Sequence, residues 1–398
     1  MTTPYEEIEN LLADAELEAA NAAISELLEK NANDVDALVF NARLLGSTGR
    51  AQDAMRNLDK ALNLDAKHIF ARTFKAAVLY DNGEYDDAEG MLSEVLKADD
   101  SVHAAWFNLA RCQARKSDFE TANTSLDKAL AGDAKNAHYL FAKSNVLDEL
   151  GQGEEAFEIL KASVEANPTL ERGWYVLCSW LLDMGQGEEA LHNLEQAMKI
   201  IPDSGALTEL MGRAAVETGQ PGDAVKLFGK MLDKNPENPG VWFNFGAANL
   251  AAEEFAAAEV AFRKTIELDP EDIDALHELA NLIQLSEDPS AITEAEGLLN
   301  QIIQKQPESW EVHNDLGRLY LSQDTPESKE QGLRCFEKAA EIGGNDPLVV
   351  FNLALASAEL EDLNRARDLC GQLIDDTETP EEIRTRAEDL RVSLAEAK

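Results

Sequence analysis

Residues 239–272 read PGVWFNFGAANLAAEEFAAAEVAFRKTIELDPED and contain two runs with helical periodicity, separated by a short acidic segment. In the first run one helix face is formed by Trp242, Phe245, Gly246, Asn249 and Leu250. In the second run a face is formed at four-residue spacing by Ala258, Phe262 and Ile266. This spacing is typical of α-helices with one buried side. The stretch therefore predicts a helical hairpin, two helices joined by a tight turn.

The same pattern returns along the chain every 34 residues. Sliding the stretch in these steps gives units that begin at Val35, Ile69, His103, Ala137, Glu171, Gly205, Pro239, Ile273, Trp310 and Pro347. A weaker unit occupies residues 1–34. The units at Ile273 and Trp310 each need three extra residues, which fall in the turns at 286–290 and 323–327. Because one hairpin cannot bury its apolar face alone, the units must be stabilised by stacking on their neighbours.

Two positions are small in all ten units from Val35 onward, and they mark where the paired helices must approach closely. At the place of Gly246 stand Ala42, Ala76, Ala110, Ser144, Cys178, Gly212, Gly246, Ala280, Gly317 and Ala354. At the place of Ala258 stand Ala54, Ala88, Ala122, Ala156, Ala190, Ala224, Ala258, Ala295, Gly332 and Ala366. The place of Phe262 is apolar throughout and should fill the hairpin core. Trp106, Trp174 and Trp242 are also expected in the core.

The order Trp, Phe-Gly, Ala, Phe and Pro at this period resembles the tetratricopeptide repeat. The resemblance implies an all-α fold, a right-handed superhelical α-solenoid of about eleven repeats with a C-terminal capping helix. We predict a degenerate N-terminal capping repeat at 1–34 and seven regular repeats over 35–272. Two repeats with three-residue insertions follow at 273–309 and 310–346, then a last repeat at 347–380 and the capping helix at 381–398.

The chain carries 76 acidic and 35 basic residues, a formal net charge of −41. This balance disfavours nucleic-acid binding, because neutralising phosphates requires a basic stripe. Acid pairs such as Glu188 and Glu189 stand where second helices begin, and carboxylates there interact favourably with the helix dipole. The acidity therefore fits helix-end chemistry and solubility, with attraction of a basic partner and a salty cytoplasm as open alternatives.

Nothing in the sequence indicates catalysis. The six histidines match no metal-ligand spacing, no phosphate loop or nucleophile elbow is found, and no CxxC pair joins Cys112, Cys178, Cys335 and Cys370. We expect no catalytic residue, no metal and no cofactor, and hence not an enzyme. The chain shows no secretory leader and no apolar run of the ~18–20 residues that a membrane helix needs. A cytoplasmic protein without membrane insertion is expected.

The family resemblance also implies that first helices line a concave groove, where partners bind as extended peptides or helices. The positions equivalent to Phe243 and Ala247 and those next in sequence carry arginine, asparagine and aromatic residues, which commonly anchor interfaces. Our candidate groove residues are Arg43, Phe107, Asn108, Arg111, Phe141, Asn145, Tyr175, Arg213, Phe243, Asn244, Asn281, Arg318 and Asn352. The alternative is that the aromatics pack between helices and the arginines pair with acids across the groove.

The predicted function is a non-catalytic scaffold that binds a protein or peptide partner of unknown identity in this groove. The alternative function is a structural or self-assembling component that makes contacts through its acidic outer face or its lengthened turns. Self-association stays open under either function.

Overall fold

The computed structural model describes residues 3–13, 16–284, 289–344 and 346–396. All regular elements in these ranges are α-helices. They are α1 Pro4–Ala13, α2 Leu17–Lys30, α3 Val35–Ser47, α4 Ala51–Leu64, α5 Ile69–Asp81, α6 Tyr85–Ala98, α7 His103–Arg115, α8 Phe119–Leu130, α9 Ala137–Glu149, α10 Gly153–Ala166, α11 Glu171–Asp183, α12 Gly187–Ile200, α13 Gly205–Glu217, α14 Pro221–Lys234, α15 Pro239–Ala251, α16 Phe255–Leu268, α17 Ile273–Ile283, α18 Pro289–Lys305, α19 Trp310–Leu321, α20 Pro326–Gly343, α21 Pro347–Glu359, α22 Leu363–Asp375 and α23 Glu381–Glu396.

The chain divides into two compact units, Met1–Leu207 and Thr208–Lys398. Within the first unit each helix from α1 to α12 packs against the next in sequence, and the same holds from α14 to α23 in the second unit. First helices of neighbouring hairpins also touch, as α5 does with α7 and α19 with α21. The prediction of an all-α solenoid is confirmed. The division into eleven repeats with a capping helix stays a prediction.

Local signals set the helix ends. The carboxylate of Asp34 accepts a hydrogen bond from the Ala37 amide at 3.0 Å, and Asp272 does the same for Ala275 at 2.9 Å, so each side chain satisfies an amide left unpaired at a helix start. In each hairpin turn from α3 onward that the structure fully describes, one residue takes the left-handed conformation. In one such turn this residue is Gly151, whose φ is +72°, a conformation that glycine adopts without steric strain.

The three extra residues of the hairpin that begins at Trp310 mostly lengthen its second helix rather than its turn. Thr325 and Ser328 form a capping box, in which each side chain accepts from the other's amide at 3.1 Å, and Pro326 follows at the first helical position. Because this start signal comes early, α20 has 18 residues, whereas α16 has 14. In the other insertion, residues 285–288 lie outside the described part of the chain.

The tryptophans serve the turns as much as the core. Only Trp174 is buried, whereas Trp106 and Trp242 are half-buried. The indole N–H of Trp174 donates to the Pro168 carbonyl at 2.9 Å, and that of Trp242 donates to the Pro236 carbonyl at 2.8 Å. Each ring thus ties the start of a first helix to the turn that precedes it.

The core of each hairpin rests on a pair of positions matched in size. A Cβ atom added at Gly246 would lie 2.7 Å from the Phe262 ring, and one added at Gly317 would lie 2.7 Å from the Phe336 ring. Gly212 stands in the same relation to Phe228. Where the small residue is alanine, serine or cysteine, the partner is leucine or cysteine instead. Both members are buried in every hairpin from α3 to α22.

We expect Gly246→Ala to destabilise the protein by about 1–3 kcal/mol, because the new methyl group overpacks the Phe262 ring. Phe262→Leu alone leaves a void, whereas the double substitution recreates the Ala280–Leu299 pairing of the next hairpin and should recover most of the loss. Thermal unfolding of the four proteins gives the coupling energy, which we expect to be about 0.5–3 kcal/mol. Additive losses would contradict the size match.

We expect Glu253→Gly to raise the stability by about 0.5–1 kcal/mol, because Glu253 holds the left-handed turn position that glycine occupies elsewhere. Its φ is +60°. The matched control is Ala252→Gly, since Ala252 has a φ of −84° and should lose stability on becoming more flexible. Thermal denaturation followed by circular dichroism separates the two, and a lower melting temperature for Glu253→Gly would count against the strain.

Candidate functional site

The thirteen candidate residues all lie on first helices, seven in the first compact unit and six in the second. In the first unit α3 carries Arg43, α7 carries Phe107, Asn108 and Arg111, α9 carries Phe141 and Asn145, and α11 carries Tyr175. In the second unit α13 carries Arg213, α15 carries Phe243 and Asn244, α17 carries Asn281, α19 carries Arg318 and α21 carries Asn352. Each unit therefore has its own candidate surface.

In the first unit guanidinium groups stack on aromatic rings across neighbouring first helices. The Arg111 guanidinium lies 4.0 Å from the centroid of the Tyr80 ring and 5.8 Å from that of Phe107. The Arg172 guanidinium lies 5.4 Å from the Phe141 ring. We call this set the arginine–aromatic surface, and it consists of Tyr80, Phe107, Arg111, Arg115, Tyr139, Phe141, Arg172 and Tyr175.

Further contacts join the members of this surface from α5 to α9. The Phe107 and Tyr139 rings stack with centroids 4.7 Å apart. Arg115 donates from Nε to the Tyr80 hydroxyl at 3.1 Å. Tyr175 on α11 is 40% exposed, so part of this residue is accessible for contact. The surface combines rigid rings with guanidinium donors, the chemistry that dominates protein interfaces.

Three of the four candidate arginines also meet carboxylates. Arg111 and Arg43 do so on a neighbouring first helix, as the alternative interpretation predicts, whereas Arg318 pairs within its own helix. Arg111 lies 3.2 Å from Asp81, Arg43 lies 3.9 Å from Glu9, and Arg318 lies 3.3 Å from Asp315. The pairs of Arg111 and Arg43 are accessible and contribute about 0–1 kcal/mol each, so a partner's carboxylate can replace the resident one at little cost. Arg213 is exposed.

In the second unit polar side chains link successive first helices. Asn244 donates from Nδ2 to Glu209 at 2.9 Å, His277 lies 2.7 Å from Asp315, and Asn352 donates from Nδ2 to Asn314 at 2.8 Å. The hydrogen bond that the His277 imidazolium donates to the Asp315 carboxylate holds the pKa of His277 above its usual value. We call these three links the polar rungs. Each joins the fifth residue of one first helix to the sixth residue of the next.

Sequence reasoning missed four members of the polar rungs, namely Glu209, His277, Asn314 and Asp315. The signal in the sequence is a pair of polar residues 35 or 38 positions apart, at places where most other hairpins carry apolar or aromatic residues. The candidate Asn352 is only 5% exposed, and its amide is engaged with Asn314. The Phe243 ring lies 5.8 Å from that of Phe262 and packs on the hairpin core.

The remaining candidates are less engaged. Asn281 accepts a hydrogen bond from Gln284 at 2.9 Å, and Asn108 accepts one from Arg111 at 3.4 Å. Asn145 is half-buried. Contacts between neighbouring first helices thus involve Arg43, Phe107, Arg111, Phe141, Asn244 and Asn352 among the thirteen.

Chemistry elsewhere in the described residues is limited. Burial raises the pKa of Cys112 to about 11 and that of Cys178 to about 12, which disfavours a reactive thiolate at either position. Within the described ranges no group of three or more His, Cys, Asp or Glu side chains is arranged to hold a metal ion. None of the helices described has the length and apolar character needed to cross a membrane.

Comparisons with known proteins identify the repeat along the middle of the chain. The profile of the cytochrome c-type biogenesis protein H TPR domain matches residues 228–327, and tetratricopeptide repeat profiles match 181–242, 75–122 and 114–171. Human protein O-mannosyl-transferase TMTC1 is 23% identical over 42% of this chain and 19% of its own length. A DnaJ homolog subfamily C member 7 homolog of Schizosaccharomyces pombe is 25% identical over 38% of this chain and 35% of its own.

The match thus spans well under half the length of these curated relatives. Among solved structures, the C-terminal part of a TPR repeat-containing protein from Cytophaga hutchinsonii aligns with a TM-score of 0.46 at 13% identity, covering 71% of this chain and 99% of that one. The profile matches fall on hairpins whose small positions, turns and helix starts repeat as described above. The chain belongs to the tetratricopeptide repeat family as a protein with many repeats.

Proposed function

We propose that the protein is a non-catalytic scaffold that binds a peptide or protein segment along the groove lined by its first helices. The observation that supports this proposal is the continuity of side-chain contacts from one first helix to the next, from Tyr80 through Phe107 to Tyr139. A surface built in this way presents rings and hydrogen-bonding groups that are already held in place before a partner arrives. Preorganisation of this kind lowers the entropic cost of association.

The proposal includes a cytoplasmic location and a protein partner rather than nucleic acid. Tetratricopeptide repeats generally bind proteins, and this supports the class of partner without naming it. The acidic composition agrees, because 76 acidic residues against 35 basic ones would repel a phosphate backbone.

An outer-face contact is the second candidate, and one observation favours it. On the second helix α16, Phe255 is 53% exposed and Val260 is 63% exposed. At the place of Val260 most other hairpins carry a polar residue or glycine, for example Thr124, Glu158 and Lys226. An association through α16 would bury these two side chains and would leave the first helices uncovered.

The groove proposal is tested by selecting a displayed random-peptide library on the full chain and then measuring the selected peptides against variants. We expect Arg111→Glu with Arg213→Glu to weaken the selected peptides by about tenfold or more, since both changes place a carboxylate on a first-helix surface. The matched control is Arg56→Glu with Arg334→Glu, which makes the same charge change on the second helices α4 and α20, where both arginines are exposed.

Equal affinity of the selected peptides for the Arg111/Arg213 variant and the wild type would contradict the groove. Peptides that lose affinity only when Phe255 and Val260 are replaced by serine would move the function to α16. Sedimentation of the free chain over a range of concentrations measures self-association in the same preparation.

A further inference from the structure

We propose that the arginine–aromatic surface of the first unit binds an acidic segment of a partner protein that also carries aromatic or large apolar side chains. This inference rests on the proposed function and specifies the chemistry of the partner for one of the two units. It is drawn from the charge of the surface, the orientation of its guanidinium groups and the limits of the surface along each helix.

The charge of this surface differs from that of the chain. The chain has more than two acidic residues for every basic one. Even so, Arg115 and Arg172 are exposed, and their described contacts are the Tyr80 hydroxyl and the Phe141 ring. Within the described residues neither forms an ion pair. Two exposed guanidinium groups on a strongly acidic protein therefore remain available to an incoming carboxylate.

The stacking of the arginines favours carboxylate binding over nonspecific attraction. A guanidinium that lies on a ring keeps its N–H donors directed outward in its own plane, and this fork matches the two oxygens of a carboxylate. Arg111 lies 4.0 Å above Tyr80, and Arg172 lies 5.4 Å from Phe141. The rings fix the donors in place, so less side-chain freedom is lost when the carboxylate binds.

The aromatic part of the partner is inferred from the rings that are left accessible. Tyr175 is 40% exposed, and the stacked pair of Phe107 and Tyr139 is half-buried. These rings lie on α7, α9 and α11, and two of these helices also carry the arginines, Arg111 on α7 and Arg172 on α11. A segment that presents both acidic and aromatic side chains to this surface would place carboxylates on the arginines and rings on rings.

The surface also has limits, and these restrict where an acidic segment can lie. Glu149 in α9 and Asp183 in α11 hold the place that Arg115 holds in α7. An acidic segment should therefore cross α9 and α11 nearer their first turns, on the side of Phe141 and Tyr175. Repulsion from acids farther away is weak, because salt screens charges over about 8 Å at physiological ionic strength.

The test uses the full chain and three labelled peptides of equal length, in which Glu alternates with Phe, Lys with Phe, or Glu with Ser. Binding is followed by fluorescence anisotropy at physiological ionic strength. We expect the Glu/Phe peptide to bind more tightly than the other two. Arg115→Gln with Arg172→Gln should weaken it by about tenfold. The control Arg56→Gln with Arg334→Gln should leave its affinity unchanged.

Tighter binding of the Lys/Phe peptide than of the Glu/Phe peptide would overturn the inference, as would an equal loss in the control variant or no binding of the Glu/Phe peptide at all. Equal binding of the Glu/Ser peptide would overturn its aromatic part. Circular dichroism and the melting temperature of each variant show whether a loss comes from misfolding, and Tyr175→Ala provides a second perturbation that removes no charge. If the library selects basic peptides that Arg111→Glu and Arg213→Glu still affect, the groove proposal stands and this inference fails.

Discussion

The close approach of two helices at a pair of small residues is the constraint on which the rest of the structure depends. Neither helix of a hairpin can be wider at this point, so the bulk of the core is supplied from one side only, by Phe262 and its equivalents. The space left beside this large side chain then determines the residue on the other helix. Beside phenylalanine there is room only for glycine, whereas beside leucine there is room for alanine, serine or cysteine. Dense packing makes this choice strict, because an added methyl group has nowhere to go.

Because this contact takes up one side of each first helix, the opposite side is released from packing within the hairpin. Most side chains there contact the neighbouring first helix or solvent, although Phe243 still packs on the core of its own hairpin. The two compact units use that freedom differently, with stacked rings and guanidinium groups in the first and hydrogen-bonded polar rungs in the second. The same backbone plan therefore supports two surfaces of different chemistry.

Much of the fold could be predicted from the sequence, because the signals for helix faces, caps and close contacts lie within one hairpin. The first helices begin at the residues from Val35 to Pro347 that the 34-residue spacing marks. Contacts between hairpins were harder to foresee. Lys75 and Lys143 stand at the place of Phe245, which is apolar in most other hairpins. Each forms an ion pair with an aspartate of the preceding second helix: Lys75 lies 2.6 Å from Asp59, and Lys143 pairs with Asp127. The three extra residues of the hairpin that begins at Trp310 were expected in its turn, but the capping box of Thr325 and Ser328 starts α20 early and places them in the helix.

The helix face that carries the candidate surface could be predicted from the sequence, but the contacts of its side chains could not. Equivalent positions in successive hairpins show which residues share a face, but not which neighbouring side chain each of them contacts. A chain built of such hairpins can change its length by whole hairpins. Each Gly–Phe or Ala–Leu pair is complete within its own hairpin, so duplication or loss of a hairpin leaves the other pairs intact, although every hairpin still needs a neighbour to cover its apolar face. The polar rungs join one hairpin to the next, since His277 is hydrogen-bonded to Asp315 and Asn352 is hydrogen-bonded to Asn314. From α17 to α21 these two bonds therefore restrict which hairpins can be neighbours, because loss of one hairpin would leave a buried asparagine or aspartate without its partner.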